Sequence, residues 1–220
     1  MTSSHDRRRT VALPNVPLSR TARILLSVGL AGLALAGVSA FQLSRLKGAS
    51  FNGTAYPDAP PAPEFALTDH DGQLRSLSDF EGTTSLVFFG FTNCPDVCPL
   101  TLAKLQRLLT DSDIGPEELS VLFVSVDPET DTPAAMKSYA EAIGPNILGL
   151  TGTRSEIDEV MAAYGVFAQP MVGHHGKEAL AHTPLAFGID TAGRLRVLIH
   201  PEESAEIVEE DIRELVGLAD

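Results

Sequence analysis

Cysteine is scarce in this chain of 220 residues, which has only two, Cys94 and Cys98. Two cysteines four positions apart cannot supply the set of disulfides that stabilises small secreted domains. The sequence also lacks internal repeats, heptads and low-complexity blocks, which excludes repeat arrays and long coiled coils. We therefore interpret the cysteines as a local redox pair or as part of a metal site.

Basic residues are the second shortage. There are 16 Lys and Arg residues against 29 Asp and Glu residues, and the net charge is −13. Residues 1–47 hold seven of the basic residues and one acidic residue, Asp6, so they carry +6 and the remainder carries −19. A domain this acidic repels nucleic acid and anionic lipid headgroups. We expect no nucleic-acid partner. The charge indicates solubility, or alternatively attraction of cations or of a basic partner.

Charged residues are absent from residues 24–44. A helix of this length can span a hydrocarbon core of about 30 Å. Five arginines precede the run, which places residues 1–23 in the cytoplasm. We interpret the run as a retained transmembrane helix. The alternative is a cleaved signal peptide with its cleavage site near Val38-Ser39-Ala40. Both interpretations place the rest of the chain outside the cytoplasm. A retained helix makes it a single-pass protein of the cytoplasmic (inner) membrane that faces the periplasmic side.

Residues 45–63 are rich in glycine, alanine, serine and proline. Prolines favour extended backbone, so this segment is predicted to be a spacer between membrane and domain. Residues 64–220 then form the folded domain.

The domain alternates apolar strands with amphipathic helices, which is typical of an α/β fold. A hairpin turning at Asp71-Gly72 is predicted first, and a short helix begins near Ser78. The elements predicted after it are strands at 85–91, 119–126 and 147–150, helices from Cys98 onward and over 133–143 and 154–164, a hairpin of 184–189 and 194–200, and a helix over 204–216. This order is similar to that of thioredoxin-like proteins, which have a central mixed sheet flanked by helices.

The cysteines lie where a buried strand turns into a helix, in the sequence GFTNCPDVCPLTL. Four-residue spacing in a helical turn predicts that the two sulfurs share one face. The helix N-terminus is expected to lower the pKa of these thiols. Thiolates are the nucleophiles of disulfide exchange and the soft ligands that select copper(I). Both functions stay open on this evidence, beside a stable structural disulfide.

Three motifs in order resemble the Sco/SenC family of copper chaperones. They are the Cys-x-x-x-Cys sequence followed by Pro99, the segment FVSVDPETDTP at 123–133, and His182, eleven residues before the turn glycine Gly193. The resemblance extends over roughly residues 64–216.

The resemblance implies a copper site, copper(I) or copper(II), with Cys94, Cys98 and His182 as ligands. It also implies delivery of copper to the dinuclear copper site of cytochrome c oxidase. The partners would be a copper-accepting oxidase subunit and either a copper donor or a thiol–disulfide reductant. The alternative is a membrane-tethered thiol–disulfide oxidoreductase, in which Cys94 and Cys98 form the redox-active pair and Cys94 attacks.

Four further residues could contribute to a metal site. Asp127 and Asp131 flank Pro128 at a strand end. They are interpreted as turn and helix-start residues, with Asp127 alternatively tuning the copper site. His174 and His175 lie in a glycine-flanked loop, where they are expected to be solvated or alternatively to form an auxiliary metal site.

Overall fold

Three apolar strands that alternate with helices along the chain form the centre of the fold. The structure, a computed structural model, describes residues 49–172, 178–182 and 184–218, with the backbone alone at 170–172 and 178–182. The described residues form ten strands: β1 (Thr54–Ala55), β2 (Ala66–Asp69), β3 (Leu74–Ser76), β4 (Thr84–Gly90), β5 (Leu119–Ser125), β6 (Ile147–Thr151), β7 (Ala168–Val172), β8 (Glu178–His182), β9 (Ala186–Ile189) and β10 (Leu195–Ile199). The helices are a 3-10 helix (Leu77–Phe80), α1 (Val97–Asp111), α2 (Pro133–Ile143), α3 (Arg154–Tyr164) and α4 (Ala205–Gly217).

Eight strands make one mixed sheet in the order β1-β10-β9-β4-β5-β6-β2-β3. Strands β4, β5 and β6 are parallel, and the pairs outside them are antiparallel. Every residue of β4 is buried, as expected for a strand covered on both faces. Because β4 and β5 are parallel, their carboxyl ends meet at one edge of the sheet, and the segments that follow them lie side by side there.

Helices α2 and α3 have the bounds that the sequence predicts, because each carries its own start signal. The hydroxyl of Thr132 accepts a hydrogen bond from the backbone N–H of Ala135, and Pro133 follows it in the first turn. Thr153 and Glu156 form a capping box at the start of α3. Helix α1 contacts α2 and α4, and α4 packs on β9 and β10.

The described part of the predicted spacer, residues 49–63, is part of the folded domain, so the predicted domain start at residue 64 differs from the structure. Strand β1 pairs with β10, Thr54 opposite Leu198. The backbone N–H groups of Asn52 and Gly53 donate to the Asp211 carboxylate at 2.6 and 2.9 Å. The prolines do favour extended backbone, but this backbone lies against the sheet. One compact unit comprises Gly48–Asp220.

The sequence did not predict β7 and β8, which form a separate antiparallel hairpin with Ala168 opposite His182. Within the described ranges, no helix has the length and apolar character to cross a membrane. The predicted transmembrane segment 24–44 lies outside the described residues.

Candidate metal and dithiol site

The cysteines lie in the loop and first turn that follow β4, at the edge where the parallel strands end. Helix α1 begins at Val97, so Cys98 is in its first turn and Cys94 precedes it. The backbone N–H of Cys98 donates to the Cys94 sulfur at 3.4 Å. Cys94 lies before the helix and accepts a hydrogen bond from its first turn, so the two cysteines contact each other without sharing a helical turn as predicted. Asp96, the N-cap residue, makes no side-chain capping bond.

The sulfurs differ in exposure. Cys98 is completely buried and Cys94 is half-buried. Both are thiols in this structure. Cys94 receives an N–H group at the positive end of a helix dipole, which favours negative charge on its sulfur.

Cys98 contradicts the expectation that the helix N-terminus lowers the pKa of both thiols. The pKa of Cys98 is raised, first by its side-chain hydrogen bond to Cys94 and then by burial. The negative charges of Cys94 and Asp131 add to this effect, while a backbone hydrogen bond with Phe91 opposes it. The pair thus holds one negative charge more readily than two. The raised pKa of Cys98 means that this thiol keeps its proton at neutral pH.

Gly90, the last residue of β4, allows α1 to approach the strand. A Cβ atom at this position would lie 2.8 Å from the Cys98 sulfur and 2.7 Å from Cε2 of Phe123. Both distances are shorter than normal contacts, so a larger residue would displace the sulfur or the ring. Gly90 was not among the predicted site residues, although a glycine that ends an apolar strand just before a functional turn is a recognisable signal.

Asp131 connects the cysteine loop to β5. Its carboxylate is completely buried. It accepts hydrogen bonds from the N–H of Thr92 at 3.2 Å, from the Thr92 hydroxyl at 2.5 Å and from the Ser125 hydroxyl at 2.6 Å. The interpretation of Asp131 as a helix-start residue is incomplete, because Thr132 caps α2 and Asp131 holds the loop two residues before Cys94. Asp127 is half-buried, and its N–H donates to Ser125 at 3.0 Å.

His182 is the last residue of β8, and the structure describes its backbone alone. Pro184, two residues later, lines the same surface depression as Val97 and Thr101 of α1. Strand β9 then starts with Ala186 opposite Phe88, so the chain before β9 lies toward the carboxyl end of β4. His174 and His175 lie outside the described residues. Among the side chains that are described, no group of three or more His, Cys, Asp or Glu residues is arranged to hold a metal ion.

A mixed sheet with a cysteine pair at the strand-to-helix turn after its central strand defines a thioredoxin-like protein. The chain belongs to the SCO1/SenC family, which it matches over residues 54–217.

Relatives with known sequences match this chain over part of their own length. The human mitochondrial SCO1 homolog is 44% identical over 108 residues, which are 48% of this chain and 36% of the human protein. A SCO2-like protein of Rickettsia conorii is 32% identical over 133 residues, 60% of this chain and 65% of that protein. The chain thus spans about a third of the length of the human relative.

Solved structures agree with the fold. Apo Sco1 of Thermus thermophilus is 37% identical with a TM-score of 0.65, covering 78% of this chain and 99% of that one. ScoI of Bradyrhizobium japonicum, solved with copper bound, is 34% identical with a TM-score of 0.59, covering 70% and 98%. Yeast Sco1, also solved with copper bound, is 30% identical with a TM-score of 0.62, covering 70% and 87%.

Proposed function

We propose that this chain is a copper-binding metallochaperone that holds copper through Cys94, Cys98 and His182. We propose further that it delivers copper to the dinuclear copper site of cytochrome c oxidase. The observation that carries the proposal is the contact between the Cys98 N–H and the Cys94 sulfur, which brings two soft donors together at a helix N-terminus. Two relatives of the same fold were solved with copper bound, which supports copper as the ion.

The chemistry of the pair suits copper(I), because thiolates are the ligands that this soft cation prefers. Binding of copper through both sulfurs would release the thiol protons, including the one that the raised pKa of Cys98 retains at neutral pH. When copper passes by ligand exchange to a recipient that carries its own thiolates, these protons return to Cys94 and Cys98, so copper binding is reversible. A copper-accepting oxidase subunit fits this role, and a copper donor or thiol reductant would act before loading.

His182 is the third proposed ligand. The path of the chain supports this assignment, since Pro184 lies beside the first turn of α1. A ring nitrogen would complete a three-coordinate site and would also accommodate copper(II).

The test compares the reduced full chain with its His182→Ala variant in competition for copper(I) against a chromophoric chelator. Loss of a ligand should weaken binding by more than about 100-fold, because removing an outer-shell partner alone costs about 10–100-fold. His200→Ala is the matched control: this imidazole is near Glu202 at 3.4 Å, at the end of β10, and its loss should leave copper affinity unchanged. Equal affinity in the His182→Ala and unmodified proteins would refute the three-ligand site.

A thiol–disulfide oxidoreductase is the second candidate, and the unequal burial of the cysteines favours it. A half-buried Cys94 and a buried Cys98 that keeps its proton match an attacking and a resolving thiol. The His182→Ala variant separates the two functions. Its rate of reducing an aromatic disulfide should equal that of the unmodified protein, whereas Cys94→Ser should abolish the reaction.

We also propose the cellular location of this activity from the sequence. A retained helix over residues 24–44 would tether the domain to the cytoplasmic membrane, on the side where an extracytoplasmic copper site of the oxidase could be reached.

A further inference from the structure

Asn52 and Gly53, just before β1, form the single Asn-Gly pair in the sequence. Such pairs are prone to deamidation, because glycine has no side chain to hinder attack by its backbone nitrogen and has the conformational freedom to reach the asparagine side chain. Asn52 is exposed, so water reaches this side chain. The pair is therefore a candidate site of spontaneous covalent modification.

Deamidation closes a ring and then opens it with water. The Gly53 nitrogen loses its proton and bonds to Cγ of Asn52, the bond from Cγ to Nδ2 breaks, and ammonia leaves. Water then adds to one of the two carbonyls of the cyclic imide. The product is an aspartate, or an isoaspartate in which the main chain runs through the side-chain carbon and is one carbon longer. Either product adds a negative charge, and the reaction needs no oxidant or reductant.

The fold holds the groups that this reaction must move. The Gly53 N–H donates to Oδ2 of Asp211 at 2.9 Å, and the Asn52 N–H donates to Oδ1 of the same carboxylate at 2.6 Å. Asp211 is buried, and a carboxylate so close to the Gly53 N–H disfavours loss of its proton. Gly53 also lies tightly against β10, since a Cβ there would be 2.4 Å from the carbonyl oxygen of Leu198. The folded protein thus keeps the nitrogen from the side chain that it would attack.

The same surroundings fit the asparagine better than its product. Asn52 Nδ2 donates to Oε2 of Glu210 at 3.1 Å. A carboxylate at position 52 would lose this hydrogen bond and place a third negative charge beside Glu210 and Asp211, where like charges repel. Strand β1 pairs with β10 over two residues, Thr54 and Ala55, so only a short ladder opposes this repulsion.

We propose that Asn52 is a deamidation site that Asp211 protects in the folded protein, and that its conversion releases β1 from β10. The contacts that follow along the chain limit the release, beginning with the Tyr56 N–H, which donates to the Arg196 carbonyl at 2.8 Å. The conversion is one-way, because ammonia is lost. It turns the docked residues 49–55 into part of the free spacer that the sequence predicts. This inference is independent of the proposed copper function.

Peptide mapping by mass spectrometry measures deamidation at Asn52 in the metal-free full chain, held at mildly alkaline pH below its Tm. The Asp211→Ala variant should convert at least about tenfold faster than the unmodified protein, since loss of hydrogen bonds to a charged acceptor raises the population of the open segment. Asp211→Asn, which keeps the shape and removes the charge, should convert at an intermediate rate. The urea-unfolded chain gives the unprotected rate and should convert faster than the folded protein.

Gly90→Ala is the matched control for lost stability. It crowds Phe123 and Cys98 on β4, which β10 and β9 separate from β1, so Asn52 should convert as slowly as in the unmodified protein. Equal rates in Asp211→Ala and the unmodified protein would refute protection by Asp211. A Gly90→Ala rate as fast as that of Asp211→Ala would also refute it, because global stability alone would then protect the pair.

The variant Asn52→Asp tests the consequence without the reaction itself. Hydrogen exchange at the Gly53 amide and over β1 should be at least about tenfold faster than in the unmodified protein. Asn52→Gln keeps an uncharged amide and should exchange at the unmodified rate. Unchanged exchange in Asn52→Asp would refute the release of β1.

Discussion

The carboxylate of Asp131 stabilises the cysteine loop at an energetic cost. It is buried without a cationic partner among the residues that bond to it, Thr92 and Ser125. Burial raises the pKa of this carboxyl, and the hydrogen bonds from Ser125 and Thr92 oppose the rise. Hydrogen bonds from three donors explain how an acid can be retained at this position.

The raised pKa predicts a pH dependence of stability. Between the ordinary value of 3.8 and the raised pKa, the folded protein binds more protons at Asp131 than the unfolded chain does. The free energy of unfolding contributed by this group therefore falls as pH rises through the window and is level above it. In the Asp131→Asn variant this slope should be absent. Loss of an acceptor should also lower stability at pH 7 by roughly 1–3 kcal/mol.

Urea unfolding of both proteins from pH 3 to 7 measures this difference. Asp58→Asn is a suitable control, because Asp58 is exposed and its replacement should keep the slope of the unmodified protein. Parallel pH curves for Asp131→Asn and the unmodified protein would contradict the assignment.

The contact between helix α1 and strand β4 depends on Gly90. The Gly90→Ala variant should push the first turn of α1 away from the strand, because the new Cβ would overlap Phe123 and Cys98. We expect a loss of roughly 1–3 kcal/mol in the free energy of unfolding. Copper(I) affinity should fall with it, because the Cys98 N–H would move away from the Cys94 sulfur.

Gly217→Ala provides the comparison. A Cβ at Gly217 would meet no atom within 4 Å, so this change should be neutral or slightly stabilising. The two variants are compared by urea denaturation and copper(I) competition. Equal stabilities would show that β4 and α1 tolerate a methyl group between them.

Elements with local signals could be predicted from the sequence, and elements defined by distant partners could not. Helices α2 and α3 have caps within their own first turns, and β4 and β5 are continuous apolar runs. Strand β1 has two residues, both exposed, and it is a strand only because β10 lies beside it.

The same distinction applies to the site. The spacing of Cys94 and Cys98 is local and predicts their contact. Asp131 bonds to their loop from the segment after β5, and an aspartate there carries no pattern that predicts this position. The raised pKa of Cys98 follows from its hydrogen bond to Cys94 and from burial, and neither can be predicted from its place at a helix N-terminus.

The segment 50–62 covers the edge of the sheet that β10 would otherwise expose. Asp211 of α4 is buried and accepts the N–H groups of Asn52 and Gly53. A Cβ at Gly53 would lie 2.4 Å from the carbonyl oxygen of Leu198, so the backbone is in close contact with β10 at this point. These contacts are incompatible with a free spacer over the same residues.

Asp211→Ala should release this segment, because it leaves two backbone N–H groups without their acceptor. We expect a loss of roughly 1–3 kcal/mol in stability and faster hydrogen exchange at the amides of Asn52 and Gly53. Glu210→Ala is the control: this exposed side chain accepts a hydrogen bond from the Asn52 side-chain amide, and its loss should change stability by less than about 0.5 kcal/mol. Copper(I) affinity should stay unchanged in both variants, since β10 and β9 separate β1 from β4. Exchange rates at Asn52 and Gly53 that are already fast in the unmodified protein would instead support the spacer.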